Sequence, residues 1–305
     1  MTQLYWQVYK NLEREFQTFA DTIYINDRQQ EVYSMRIADL LIRTVIEIEA
    51  LSKELYLLNG GDAEMADEDM YFDTVCIKYL NDLWNLDAKV VMVVSPDIYF
   101  EKDENKVLRP LHNAYKRGKC DWKKAYQDVK HNRVKKLDRG NIKHLIRGLA
   151  ALYVLNLYYK DIQYKGLKEP AKSEVNLSFG SELYSVKIHK VNGLMADGIY
   201  QKKPEYDECV YIEDYEAKSK EVALASLQKL NEHIAQGTAE EIMRMAKEKL
   251  SRGEEITEDW IRQARVDTAI VKKVLPIKDY KLAKSIQDGL SGLLYDIVLN
   301  KQQYV

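Results

Sequence analysis

Two short clusters in this chain hold the side-chain types that cut RNA without a metal. The first is Lys130-His131-Asn132-Arg133; the second, Arg139-Gly140-Asn141-Ile142-Lys143-His144, begins six residues after Arg133. Metal-free cleavage needs one group that assists loss of the 2′-hydroxyl proton, another that protonates the 5′-oxygen, and cations that stabilise charge on the phosphorane. Histidine moves protons near neutral pH, and arginine supplies a fixed bidentate phosphate contact. In this reading His131 is the general acid or base while Lys130 and Arg133 hold the phosphate, with Arg139 and His144 as second-choice catalytic partners. On a continuous helix Arg139 and His144 stand about 140° apart, at about 100° per residue. They converge only if Arg139 lies in the non-helical cap, or across a symmetric dimer.

Both clusters lie in a basic stripe. Between residues 115 and 147, twelve Lys or Arg face three acids, a local charge of +9 in a chain of 305 residues whose net charge is -2. A basic stripe in a mildly acidic protein fits a phosphate-binding surface; a uniformly basic chain would suggest nonspecific coating of nucleic acid. Lys123, Lys124, Lys135 and Lys136, with Tyr126 and Asn141, are the substrate-binding candidates within it. Three structural readings compete. The stripe is also what a solvated helical face looks like. Lys130, His131 and Arg133 could form a buried polar knot with Glu47 or Glu49. Trp122 and Tyr126, four apart, read as core aromatics first and as base-stacking groups second.

Other chemistries find little support. Neither GxGxxG, GxxxxGK[ST] nor HExxH occurs, and none of the five histidines pair at i, i+4, so the expectation is no metal and no cofactor. The three cysteines, Cys76, Cys120 and Cys209, are too far apart for a metal knuckle and odd in number. No apolar run reaches about 18 residues. The opening MTQLYWQVYKNLEREF has acids and no signal-peptide core, which makes the expected location cytoplasmic, without a membrane partner.

The elements that must position these groups are mostly helices, as 13 glycines and 5 prolines suggest. Apolar residues at helical spacing predict helices over 2–20, 37–58 and 71–84, and an acidic loop between the last two. The β-branched run 89–94 predicts a short strand. A short helix over 111–117, a helix from Trp122 capped by Asp121, and a long apolar helix opened by Asp138 or Asn141 complete residues 1–165. Beyond Pro170 the texture changes. Period-two alternation over 183–191, an Asn192-Gly193 turn toward a strand at 195–200, and a strand at 209–213 precede charged helices over 219–250, broken near Gly237, then 257–272 and 281–299. The fold class is therefore mainly α, with an N-terminal helical domain over 1–165 and an α+β C-terminal domain over 170–305.

In these residues the chain resembles the HEPN superfamily, all-helical domains many of which are metal-independent ribonucleases with an Arg-x4-6-His motif. Arg139 to His144 has that spacing, with Gly140 where the family usually carries Asn, Asp or His. A bacterial HEPN-like set is closer, with an aromatic-rich helix, a Lys-His-x-Arg turn and a following long apolar helix. Here these are Trp122 and Tyr126, Lys130 to Arg133, then Asn141 and the run LIRGLAALYVLNLYY, and the helix over 33–56 also looks similar. The resemblance covers roughly residues 1–160. It implies a HEPN-like helical bundle, an endoribonuclease acting on RNA in a phage-defence or toxin system, and a homodimer with its site across the two-fold. The C-terminal domain would then provide specificity or a protein partner. Two further readings stand beside it: a non-catalytic scaffold whose Lys-His-x-Arg turn is a structural knot, and a nucleotide or phospho-ligand sensor. A catalytic site predicts Lys130, His131 and Arg133 partly exposed in a basic cleft, whereas the knot predicts them buried against carboxylates.

Overall fold

Helices with one apolar stripe must bury it, and the chain does so around one helix that is apolar on every side. The computed structural model describes residues 4–168, 175–191 and 202–304. Its helices are α1 (Leu4–Ala20), α2 (Met35–Leu58), α3 (Lys78–Trp84, entered through a π-helical turn at Phe72–Ile77), α4 (Asp103–Lys106), α5 (Asp121–Lys136), α6 (Ile142–Lys160), α7 (Ala217–Ser251), α8 (Glu258–Val266), α9 (Thr268–Val274) and α10 (Tyr280–Leu290). Every residue of α6 from 148 to 158 is buried, which is what an all-round apolar sequence requires. α2 lies along it, and α1 and α5 pack against the pair. Ser34 caps α2 by accepting from the Ile37 amide, and Ile37, Leu41, Thr44, Ile48, Leu51 and Leu55 form its buried stripe.

Short strands join the bundle to the rest of the chain. They are β1 (Ile25–Asn26), β2 (Val91–Val93), β3 (Ile98–Tyr99), β4 (Val107–Leu108), β5 (Tyr164–Leu167), β6 (Tyr184–Val186), β7 (Ile188–Lys190), β8 (Tyr211–Tyr215) and β9 (Tyr295–Leu299). β1 pairs β3 in parallel, β4-β2-β6 form an antiparallel sheet, and β5-β9-β8-β7 form a second sheet in which only β7 and β8 run parallel. The alternating run over 183–191 thus divides between two sheets. α7 to α10 leave the second sheet at Tyr215 and return at Tyr295, residues that face each other in the β8–β9 register. The fold is mainly α with an α+β region, as expected.

The boundary expected near residues 165–170 changes secondary structure but not the core. β6 pairs with β2, and Leu183, Tyr184, Val210, Tyr211 and Ile297 belong to the same apolar cluster as α1, α2 and α6. Other expectations are corrected. Residues 111–117 form consecutive turns instead of a helix, and α5 starts at Asp121 itself, whose carboxylate accepts from the Trp122 amide. α7 runs unbroken through Gly237; a Cβ there would meet Val274 Cγ1 at 2.3 Å, so the glycine serves the close approach of α9 and does not end the helix. The helix expected over 281–299 stops at Leu290 and the β-branched end becomes β9. The Asn192-Gly193 turn and the strand at 195–200 lie outside the described residues.

Candidate nucleic-acid interface

The first cluster falls on the last turns of α5. The helix does not stop before Lys130; it continues and kinks at Asn132, where φ is -145° and ψ 48°. Cations gather at this end, where the helix dipole favours them. Lys130 and His131 are exposed, Lys135 and Lys136 are exposed, and Val134 is 97 % exposed, so the kinked turn projects into solvent and is no cleft. Arg133 is half-exposed and pairs with Asp39 of α2 at 2.8 Å. The buried knot is absent: the Arg133 partner is neither Glu47 nor Glu49, and His131 has no hydrogen-bond or ion-pair partner among the described residues. Lys130 keeps one local tie, donating to the Tyr126 hydroxyl at 3.0 Å with its ammonium 5.1 Å from the ring centre. That bond, with Glu49 nearby, holds the Lys130 ammonium above its ordinary range.

Three of the substrate-binding candidates are structural. Tyr126 is 1 % exposed, a core aromatic that cannot stack on a base. Lys123 is buried, and its ammonium donates to Asp73 at 2.7 Å and to the carbonyls of Ala114 and Lys116 at 2.6 and 3.0 Å. Asn141 caps α6, accepting from the His144 amide at 3.1 Å and donating to Glu31 at 2.8 Å. Lys124, Lys135 and Lys136 remain exposed to a ligand.

The second cluster does bring Arg139 into the non-helical cap, at the end of a 3₁₀ turn (Leu137–Arg139). The contact it makes with His144 is through the backbone: His144 Nδ1 lies 2.8 Å from the Arg139 carbonyl, while the guanidinium turns to Asp128 at 3.5 Å. A carbonyl only accepts, so Nδ1 carries the proton. Gly140 passes so close to α2 that a Cβ would meet the Cβ of Ala38 at 2.5 Å. His144 is 3 % exposed, and burial holds its imidazole below its ordinary range, opposed by the Arg139 carbonyl. This histidine is a buried neutral hydrogen-bond donor, out of a substrate's reach.

A stability consequence follows from that depressed value. The unfolded chain takes up this proton near its ordinary pKa of 6.5 and the folded chain resists it, so the contribution is full above 6.5 and is lost as pH falls through the folded value. Between about pH 7.5 and 5.5 the melting temperature of wild type is expected to fall further than that of His144→Gln. Equal slopes would remove His144 from this role.

The twelve cations of the stripe divide into five with an ion pair and seven without. Lys123, Arg133, Arg139, Lys143 and Arg147 pair with Asp73, Asp39, Asp128, Glu31 and Asp121. Lys116, Arg117, Lys119, Lys124, Lys130, Lys135 and Lys136 are exposed and have no ion pair among the described residues. They run from the turn around Gly118, which has a φ of 65°, along α5 to its end. α5 itself spans about 24 Å, and Lys124 and His131, two turns apart, share a face. Lys116, Arg117 and Lys119 were not among the candidates, although three cations around one glycine with no acid beside them are a readable signal.

No protein-family model, no curated protein and no solved structure matches this chain. The HEPN resemblance therefore rests on the quoted residues.

Proposed function

We propose that this chain acts on RNA, holding its sugar–phosphate backbone along α5. The observation that carries this is the row of seven exposed cations without an ion pair among the described residues, beside the unpartnered His131, in a chain with a net charge of -2. Unpaired surface cations lose little on meeting phosphates and release counterions when they do. Metal-independent cleavage is the second reading. It is favoured by His131, an exposed imidazole between Lys130 and Lys135, and by the HEPN resemblance, which also implies a homodimer and a defence or toxin setting.

The triple variant Lys124→Ala/Lys130→Ala/Lys135→Ala is expected to bind a single-stranded oligoribonucleotide about tenfold or more weakly at low salt, with melting unchanged. Unaltered affinity in that variant would place binding elsewhere. Cleavage of the same RNA in EDTA, lost in His131→Ala, supports the second reading; uncut RNA that still binds α5 leaves a binding protein.

A further inference from the structure

His131 has no carboxylate to orient it, but another histidine does. His112 sits in the run of turns before α5, with Nδ1 3.0 Å from Asp87 Oδ2. A carboxylate accepts, so Nδ1 carries the proton and Nε2 presents its lone pair, which receives the Asn113 side-chain amide at 2.8 Å. Asp87 is fixed in turn: its other oxygen accepts from the Asn113 backbone amide at 2.6 Å. Asn113 is held at a φ of 56°, a left-handed conformation that non-glycine residues adopt seldom and that gathers at functional sites.

His112 lines a cavity of about 280 Å³ between β4, the start of α5 and α6. Arg109, Lys119 and Arg147 face the same space, as do Glu104 and Asp121. The guanidinium groups of Arg109 and Arg147 each have a carboxylate partner, which leaves the Lys119 ammonium to meet a single phosphodiester. Arg109 and Arg147 are anchored by Glu208 and Asp121, while Lys119 is unpaired among the described residues and opens the cationic row of α5. An imidazole oriented by a carboxylate, its Nε2 held only by the Asn113 side-chain amide, with anchored cations and an accessible cavity, supplies the parts that acid–base chemistry on a phosphate ester needs.

We propose that this pocket binds one RNA phosphodiester and that His112, positioned by Asp87, is the base that takes the 2′-hydroxyl proton. The proposal rests on the RNA reading and moves its acid–base centre from His131 to His112. In the step, the 2′-proton passes to Nε2 as the Asn113 amide gives way, and the 2′-oxygen bonds to phosphorus. The P–O5′ bond breaks, its electron pair leaves with the 5′-oxygen, and that oxygen takes a proton from solvent. The products are a 2′,3′-cyclic phosphate and a 5′-hydroxyl. Arg109, Lys119 and Arg147 stabilise the charge that builds on the phosphorane.

The test uses the dinucleotide uridylyl-adenosine, too short to span α5, and its 2′-deoxy form, with the full chain in EDTA. Wild type is expected to release the cyclic phosphate, His112→Gln to lose about a hundredfold or more in rate, and His233→Gln, on α7 away from the pocket, to retain it. Asp87→Asn is expected to lower kcat about tenfold with KM for the dinucleotide unchanged, because the ring loses the acceptor that orients it, and Asp87→Glu to restore part of that rate; a purely structural Asp87 would change KM and melting as well. The uncleavable deoxy form should perturb the ring signals of His112 in NMR spectra. Full activity in folded His112→Gln, or a perturbed ring with no cleavage of the ribose form, would overturn the base assignment. Unperturbed His112 signals while longer RNA still binds α5 would overturn the pocket and spare the RNA reading; loss of both would remove both.

Discussion

Replacing Lys123 by alanine is expected to cost about 3–5 kcal/mol of stability, whereas Lys124→Ala, one residue on, changes it by less than about 0.5 kcal/mol. The two lysines are neighbours in sequence and opposites in environment. Lys123 is 4 % exposed and places all three ammonium protons, on Asp73 and on the carbonyls of Ala114 and Lys116. These contacts tie α5 to the π-helical turn before α3 and to the turns that carry His112. Truncation leaves the half-buried Asp73 carboxylate and two carbonyls without their donor. Lys124 points to solvent with no ion pair among the described residues. Denaturant titrations of the two variants check this, and equal midpoints would mean that Lys123 does not hold the turn. The RNA affinities should rank the other way in folded protein, with Lys124→Ala the weaker binder.

Glu13→Ala is expected to be as damaging, by about 3–5 kcal/mol, although no sequence argument gave this residue a role. Its carboxylate is fully buried, and one oxygen accepts from the Tyr9 hydroxyl at 2.8 Å, the Ser181 hydroxyl, and the amides of Glu182 and Leu183 at 2.9 and 3.2 Å. The other oxygen pairs with Lys10. A single side chain on α1 thus satisfies the turn that leads into β6, and removing it strands several buried donors at once. Glu13→Gln keeps the accepting oxygen and loses the charge, so its melting temperature should fall between wild type and Glu13→Ala. A melting temperature for Glu13→Ala within a degree or two of wild type would contradict this account of how the bundle holds the sheet.

Helical periodicity made most of the bundle legible. Of the stripe expected from Ile37 to Leu58, all but the exposed Leu58 at the helix end is buried, the apolar run of α6 is buried where spacing put it, and Asn141 caps α6 as its residue type suggests. The failures have local causes. The end of the chain, Tyr295–Leu299, carries apolar residues that suit either period, and its pairing with β8 and β5 decides for a strand. Gly237 read as a break because a glycine's effect on its own helix is visible in sequence and a neighbouring helix is not. Glu13 was in fact readable: with Tyr9, Leu12 and Phe16 it occupies the i, i+3, i+4, i+7 stripe, and an acid there must be buried with partners.

At the site, charge was legible and pairing was not. The twelve cations of the stripe look alike in sequence; five of their partners come from acids on other elements or a helical turn or more away, Asp39, Asp73, Asp121, Asp128 and Glu31. Only the fold separates those from the seven left for a ligand. The Arg139–His144 spacing was equally ambiguous, since it fixes a distance along the chain and not which atom of Arg139 meets the ring. His112 drew no attention because its partner, Asp87, lies 25 positions away.

The most direct test of the central claim is the salt dependence of binding between wild type and a single-stranded oligoribonucleotide. Seven exposed cations at about 0.7 counterion each predict a slope of about -5 in log K against log salt. In the Lys124→Ala/Lys130→Ala/Lys135→Ala variant the slope should become shallower by about 2. A slope near zero in wild type, or the same steep slope in both proteins, would contradict an RNA-binding face on α5.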